Sequence, residues 1–359
     1  MDKDFEDVNG RKIPRHGKNK TKKKNTILKI ILKILLLLII LIVIATGTLV
    51  GYVWNKLSKI DYQTEMSDNV EINEGVENTG YLNVVLFGVD SRSNEYEENA
   101  GSDCIIIVSL NRETKEVKMV SVYRDCYLEY EDNKFGKITD IYRTHGAEKA
   151  ISTLNRNFDL DITEYVTVNF AVVVDVVNAV GGIEMEITNQ DLRYINPYID
   201  EIMKVTGVES KRLTKTGTYT LDGVQALAYA RIRYIGTDIN RTERMREVLM
   251  KTFDKVKKMN LLQINELANN VLPKVKTTIT QKEIVSLASG LTQYNITTSI
   301  GFPYQWADYQ PDGVYYLSPK DLEQNVKQLH SELFEEEEYQ VSTEVKEISD
   351  YLIKKTGIK

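Results

Sequence analysis

Arginine is the residue whose placement in this chain most suggests chemistry. Twelve arginines lie from Tyr81 onward, and five of them, Arg231, Arg233, Arg241, Arg244 and Arg246, fall within sixteen residues. The last 113 residues contain none. A guanidinium is planar, permanently charged and forked, so it grips two phosphate oxygens at once. Five packed together repel one another unless an anion joins them. The whole chain has a net charge of −6, so a cationic cluster inside it reads as an oligophosphate or pyrophosphate site. The competing reading is a solvated helix surface on which Glu243 and Glu247 pair with these arginines, a common and weakly stabilising arrangement.

Carboxylates sit at the ends of neighbouring apolar runs. Asp90 and Arg92 follow one run in GVDSR (88–92), and Asp103 immediately precedes the next. Carboxylates at strand ends beside a phosphate site suit Mg²⁺, or Mn²⁺, which take oxygen ligands and bridge to phosphates. Each aspartate alone is more often a turn or cap residue. YRD (123–125) adds Arg124 and Asp125 after a third run. A divalent ion with several arginines is what phosphoryl transfer needs to spread charge in its transition state. The two cysteines and three histidines show no zinc spacing, and His145 reads as a loop residue.

The elements that must position these groups alternate between strand and helix. LNVVLFG (82–88), CIIIVSL (104–110) and VKMVSVY (117–123) are short, β-branched and apolar, hence buried strands. The last two are joined by a short polar link and form an antiparallel hairpin. A helix follows a glycine over 146–158, YVTVNF (165–170) is a strand, and AVVVDVVNAV (171–180) is a helix ended by Gly181-Gly182. IEMEI (183–187) alternates as a strand. Asp222 caps a helix carrying Arg231 and Arg233 at its end. Asp238 is placed to cap the next, Arg241 to Met259, with Arg241 and Arg244 on one face. A helix N-terminus at this corner itself favours anions. Thr280 with Glu283 forms a capping box, and Ser318-Pro319 starts a later helix. The fold class is α/β, of α-β-α type, with a central mixed sheet flanked by helices.

The N-terminal region differs in kind. Residues 34–54 are a run of 21 without charge, the length that spans a bilayer as a helix. Residues 1–33 hold eleven Lys or Arg against four Asp or Glu. That basic flank keeps the N-terminus cytoplasmic and places the large acidic part outside, at the cell membrane. An acidic domain with no helix-turn-helix signal argues against nucleic acid as a partner.

Seven segments, FGVDSR, SDC-III-VSLN, VYRD, KITDIY, VNFAVVVDVVNAVGGIEM, LDGVQALAYARIR and DINRTER, occur in the order of the motifs of the LytR-CpsA-Psr family. The chain resembles that family over roughly residues 80–258. The resemblance implies a polyprenyl-pyrophosphate phosphotransferase that attaches wall teichoic acid, capsular polysaccharide or a related glycopolymer to peptidoglycan. The alternatives are a non-catalytic polyprenyl-phosphate-binding regulator of the cell envelope and a lipid-pyrophosphate hydrolase. It further implies Asp90 and Asp103 as Mg²⁺ carboxylates, and Arg124, Arg231, Arg233 and Arg241 as a pyrophosphate clamp. Lys137 would reach the head group, and a hydrophobic pocket between sheet and helices would bury the lipid. Arg92 and Arg244 complete the expected clamp. The catalytic set is Arg241 with Asp103 or Asp238 as base.

Two positions depart from the family pattern. Gly101 stands where the family often has arginine, and Met245 where it has glutamine or a similar polar residue. A phosphate contact is thereby lost or replaced by Arg92 or Arg246. Cys104 and Cys126 pair only if the hairpin brings them opposite each other. The expected divisions are a basic cytoplasmic tail (1–33), a transmembrane helix (34–54), an extracytoplasmic stalk (55–79), a catalytic domain (80–335) and a charged C-terminal tail (336–359) whose last twenty residues are helical or loose.

Overall fold

A computed structural model describes residues 61–62, 70–91, 100–233 and 238–358. The tail over 1–33, the apolar run 34–54, Arg92 and most of the expected stalk lie outside the described residues. Among the described residues no helix is long and apolar enough to cross a membrane.

In chain order the strands are β1 (Asp61–Tyr62), β2 (Tyr81–Val89), β3 (Ser102–Asn111), β4 (Glu116–Val122), β5 (Tyr127–Glu131), β6 (Lys134–Lys137) and β7 (Glu164–Val168). They continue with β8 (Ile183–Ile187), β9 (Gly217–Leu221), β10 (Lys276–Thr277), β11 (Asn295–Phe302), β12 (Trp306–Tyr309) and β13 (Tyr316–Pro319). The helices are α1 (Ile138–Phe158), α2 (Phe170–Ala179), α3 (Asn189–Thr206), α4 (Gly223–Arg231), α5 (Asp238–Val256), α6 (Leu261–Val271), α7 (Gln281–Ser289), α8 (Leu322–Phe334) and α9 (Thr343–Thr356).

One mixed sheet runs in the order β1-β10-β7-β2-β3-β4-β11. Its centre is the antiparallel meander β2–β3–β4, with the expected hairpin in register Ile105↔Val122 to Leu110↔Val117. β7 and β11 join it parallel to β2 and β4, pairings that require crossovers, and the crossovers bring in the helices. Side chains alternate along β3 with a period of two. Ile105 and Ile107 pack with Val85, Phe87 and Val120 against Ile151 and Leu154 of α1, Leu329 of α8 and Val345 of α9. Ile106, Cys104 and Val108 face the other way, with Leu82 and Met119, toward Leu249 and Phe253 of α5 and Leu287 of α7. A strand covered on both faces is apolar at consecutive positions, which is how 104–110 reads.

A third cluster lies off the sheet, among α2, α3, α4 and the β8–β9 ribbon. Val248 of α5 belongs to this cluster while its neighbour Leu249 belongs to the sheet side. One helix therefore ties the two cores together and carries Arg241, Arg244 and Arg246.

Several local expectations need correction. The strand 165–170 stops at Val168, because Asn169 turns the chain and its Oδ1 accepts the amide of Val172 as the N-cap of α2. Helix α1 starts at Ile138, and Gly146 is a break inside it, with φ of +84°. Ser318-Pro319 ends strand β13, where an edge tolerates a residue with no amide hydrogen, and Asp321 caps α8 instead. Arg233 lies past the end of α4. The last twenty residues take the helical one of their two expected forms, as α9. Val345, Ile348 and Leu352 repeat at helical spacing, and all are buried.

The packing of α2 on α4 is close enough to be tested. A Cβ on Gly223 would stand 2.2 Å from the carbonyl oxygen and 2.7 Å from the Cα of Val174, both backbone atoms that have no way to rotate aside. Gly223→Ala should destabilise the protein by about 3 kcal/mol, the upper range of overpacking costs. Its thermal midpoint should fall by several degrees in a calorimetric scan; an unchanged midpoint would disprove the close approach.

Candidate functional site

The site begins with an irregularity. Gly88 pairs with Cys104, but Val89 pairs with Ser102, so Asp103 is an extra residue with no partner across the ladder. Such a bulge bends its strand and re-aims the extra side chain. A Cβ at position 88 would lie 2.9 Å from the Cβ of Cys104, which accounts for glycine there. Ser102 Oγ lies 2.8 Å from the carbonyl oxygen of Cys104 and 3.3 Å from that of Gly88, so its hydroxyl satisfies backbone that the bulge disturbs.

Asp103 is thereby aimed into the arginines. Its Oδ1 accepts from Arg124 Nη1 at 2.7 Å, and its Oδ2 from Arg233 Nη2 at 2.8 Å and Arg241 Nη1 at 3.3 Å. These arginines come from three places: the residue after β4, the turn after α4 and the first turn of α5. Arg241 is 1% exposed. A guanidinium so deeply buried needs an opposite charge beside it. Burial by itself would raise the Asp103 pKa, but Arg241, Arg124 and Arg233 together outweigh it and hold the carboxyl below its ordinary value. Asp103 is therefore ionised and a poor proton acceptor, which weakens its expected role as a base.

Arg231 makes a second, adjoining pair. Its Nη2 donates to Asp90 Oδ2 at 3.2 Å, its Nη1 is 3.4 Å from Glu201 Oε1, and its guanidinium lies 4.3 Å from the ring centre of Phe170. At Asp103, among the described residues, one carboxylate faces three guanidiniums, a local excess of positive charge that suits an anionic group.

Other expected residues are placed differently. Lys137 is bound to Asp125 at 2.7 Å, and Asp125 also lies 3.6 Å from Arg124 Nε, so Lys137 supports the clamp through Asp125. Arg244 donates to the carbonyl of Ile232 at 3.3 Å and approaches Asp191 at 3.8 Å, contacts that bind α5 to α3 and to the end of α4. Asp238 opens α5, and its side chain lies outside the description, as does Arg92. Among the described residues Glu243 accepts from Asn240, and Glu247 meets Tyr229 and Lys251, contacts other than the arginine pairs that the competing surface reading requires. Cys104 and Cys126 are free thiols. With Ile105 opposite Val122, Cys126 falls beyond the end of the ladder from Cys104.

Among the described residues no group of three or more His, Cys, Asp or Glu could hold a metal ion. The donor set for Mg²⁺ reduces to Asp90 and Asp103 plus whatever a ligand supplies. Asp90 Oδ1 is buried with no hydrogen-bond partner among the described residues, and Asp103 is ionised. Both features fit a hard cation completed by phosphate oxygens.

Behind this polar mouth lies an apolar cavity of about 210 Å³. Asp103 and Arg231 stand at its rim, and Leu86, Ile106, Val172, Val176 and Leu249 line its body. The apolar helix over 171–180 is thus a wall of this cavity as well as core. Met245 lines it too, so the departure from a polar residue there extends the apolar lining. The sequence reading missed Ser102, Phe170, Tyr198 (whose hydroxyl accepts the amide of Arg233) and Glu201. Asn169, which the sequence reading placed inside a strand, also lines the cavity and caps α2; an asparagine directly before an apolar helical run is the signal that could have found it.

Comparison with known proteins gives a consistent picture. The LytR_cpsA_psr family model matches residues 48–333. The chain is 29% identical over 301 residues to the polyisoprenyl-teichoic acid–peptidoglycan teichoic acid transferase TagT of Bacillus subtilis (strain 168), covering 81% of this chain and 90% of that one. It is similar in structure to TagT bound to LIIa-WTA, with a TM-score of 0.56, 25% identity and coverage of 82% and 97% of the two chains. The YwtF (TagT) protein with bound octaprenyl pyrophosphate lipid gives a TM-score of 0.53 at 25% identity, covering 76% and 99%.

Removing the central charge should be costly. Asp103→Asn removes the carboxylate charge that the buried Arg241 shares with Arg124 and Arg233, and should lower unfolding stability by about 3 kcal/mol. Because the folded-state pKa of Asp103 lies below its unfolded value, its contribution is complete above that value and lost as pH falls through the folded one. Denaturant midpoints measured from roughly pH 6 down to pH 2 should therefore decline less steeply in Asp103→Asn than in the parent. Parallel slopes would contradict the assignment.

Proposed function

Since this chain belongs to the LytR_cpsA_psr family, we propose that it transfers a teichoic acid or similar glycopolymer from a polyprenyl-pyrophosphate carrier to peptidoglycan. The observation that carries this reading is the junction of an arginine-rich mouth with an apolar cavity. That combination suits one amphipathic ligand, a pyrophosphate head on a hydrocarbon tail. The names of the relatives point the same way, to a teichoic acid donor, a prenyl pyrophosphate ligand and a peptidoglycan acceptor.

In the proposed reaction the tail enters between β2–β3 and helices α2 and α5, and the pyrophosphate meets Arg124, Arg233 and Arg241. An acceptor hydroxyl oxygen attacks the phosphorus that bears the glycan. The bond from that phosphorus to the bridging oxygen breaks, and its electron pair departs with the polyprenyl phosphate. The hydroxyl proton leaves to a phosphate oxygen or solvent. Arg241, already desolvated, stabilises the charge that grows on the leaving group. Asp103 spaces the arginines and keeps them from repelling one another before substrate arrives. Asp90 and Asp103 would hold Mg²⁺, or Mn²⁺, which would neutralise pyrophosphate oxygens. The apolar run 34–54 and the basic residues before it support a single-pass anchor, with the N-terminus cytoplasmic and the site outside. Such an anchor keeps the enzyme on the membrane that holds its lipid substrate.

The test is transfer of a lipid-pyrophosphate glycan to peptidoglycan oligomers with Mg²⁺ present, read as a mass increase on the acceptor. Arg241→Ala should lower kcat by about 10²- to 10³-fold, the cost of losing one preorganised donor to a developing charge. Release of the glycan to water with acceptor present would mark a hydrolase, and tight binding without turnover a receptor. Val176→Phe, which fills the cavity, should raise the donor KM by about tenfold, roughly 1.4 kcal/mol, with little change for a donor carrying a short prenyl chain. Equal effects on long and short chains would place the tail elsewhere.

A further inference from the structure

A second depression adjoins the clamp and is not used by it. This open groove of about 620 Å³ is lined by Tyr123, Glu243, Arg246, Ser299, Tyr304 and Trp306, among others. It shares no lining residue with the apolar cavity. Both are walled by α5, on different faces. Ile239, Glu243 and Arg246 recur at four and three residues and face the groove, whereas Met245, Val248, Leu249 and Thr252 face the cavity. The groove also touches the clamp in sequence. Tyr123 precedes Arg124, and Arg246 lies on the helix of Arg241.

Three of its polar atoms lack partners among the described residues. Arg246 Nη1, Ser299 Oγ and Tyr304 Oη are all buried without a hydrogen bond among the described residues. Arg246 is only 9% exposed, and among the described residues no carboxylate is paired with it. Unsatisfied buried polar groups are rare because each forfeits its hydrogen bonds to water. Three along one groove indicate a bound molecule that supplies the missing partners. The groove also has flat apolar faces. Trp306 and Tyr304 are half-buried, and Tyr123 lies across Gly301, where a Cβ would come 2.2 Å from its hydroxyl. Aromatic faces beside hydrogen-bonding groups suit a saccharide, whose rings have an apolar C–H face and a rim of hydroxyls and amides. A buried guanidinium adds preference for a carboxylate on that sugar.

Building on the proposed transferase activity, we infer that this groove binds the glycan strand of the acceptor, and that Arg246, Ser299, Tyr304 and Trp306 set acceptor specificity. Displacement at phosphorus is roughly in line, so the nucleophile arrives opposite the leaving group. The leaving lipid phosphate departs toward the cavity on one face of α5. A groove on another face, beyond Arg124, is where an attacking hydroxyl would be presented. Arg246 is then a residue of this groove and not a substitute clamp arginine.

The experiment uses the full-length chain in detergent micelles and separates donor from acceptor. The probes are a polyprenyl-pyrophosphate glycan donor and a soluble peptidoglycan tetrasaccharide with its N-acetylmuramic carboxyls in place. Tyr304→Phe removes a hydroxyl that bonds nothing among the described residues, so the fold should be unharmed and its thermal midpoint unchanged or higher. Its KM for the tetrasaccharide should rise by about tenfold with the donor Kd unchanged, and Trp306→Ala should do the same more strongly. Weakened donor binding would mean that the groove holds the donor's glycan and would overturn the assignment. Unchanged kinetics toward both substrates would overturn it too. If the parent protein transfers nothing, the transferase reading fails first. Calorimetric binding of the tetrasaccharide to the parent and to Tyr304→Phe then still decides the groove: equal affinity, or none in the parent, rejects it.

Discussion

The architecture around the site depends on one carboxylate. Asp103 stands among Arg124, Arg233 and Arg241, which arrive from three separate elements. Without a negative charge between them these guanidiniums would repel, and the buried Arg241 would lose a carboxylate that helps to offset its charge. With it, the three are held within reach of one another before any ligand binds. An entering anion then meets donors that are already desolvated and aimed, so little reorganisation is needed at the moment of reaction. The same carboxylate cannot readily act as a base, because the arginines that make it useful also keep it ionised.

What aims Asp103 is a defect in an otherwise regular sheet. The meander β2–β3–β4 is covered on both faces, which makes its register stiff. One extra residue in such a stiff ladder produces a local bend whose direction is well defined. Gly88 and Ser102 accommodate that bend, the first by lacking a side chain and the second by bonding the disturbed backbone. The sheet thus supplies rigidity, and the bulge supplies a side chain pointing where a regular strand would not place one.

Helix α5 organises everything on the other side. Successive faces of it contribute Arg241 to the clamp, Met245 and Leu249 to the apolar cavity, and Glu243 and Arg246 to the polar groove. Arg244 is spent differently, in fastening this helix to α3 and to the end of α4. A helix with four chemically distinct faces is held in place by the two cores it joins, through Val248 on one side and Leu249 on the other. Disturbing its rotation would therefore affect the pyrophosphate mouth, the cavity and the groove together.

Much of this was legible in the sequence. Apolar runs identified the central strands, capping residues such as Asp222 and Thr280 placed helix starts, and the arginine density marked the anion site. These are local signals, set by backbone hydrogen bonding and by the period of burial, and they survive without knowledge of the fold. The tertiary structure alone decided what depends on residues far apart in the chain. It set which arginines share a carboxylate, with Arg244 left out and Arg233 brought in from a turn. It made Ser318-Pro319 a strand end, since pairing with Trp306 and Ala307 outweighs a local preference for a helix start. It folded the charged C-terminal segment onto the core, because Val345 and Ile348 find an uncovered face of α1 and α8 that no local pattern reveals. Spacing along a chain determines which face a residue takes within its own element; only packing determines what that face meets.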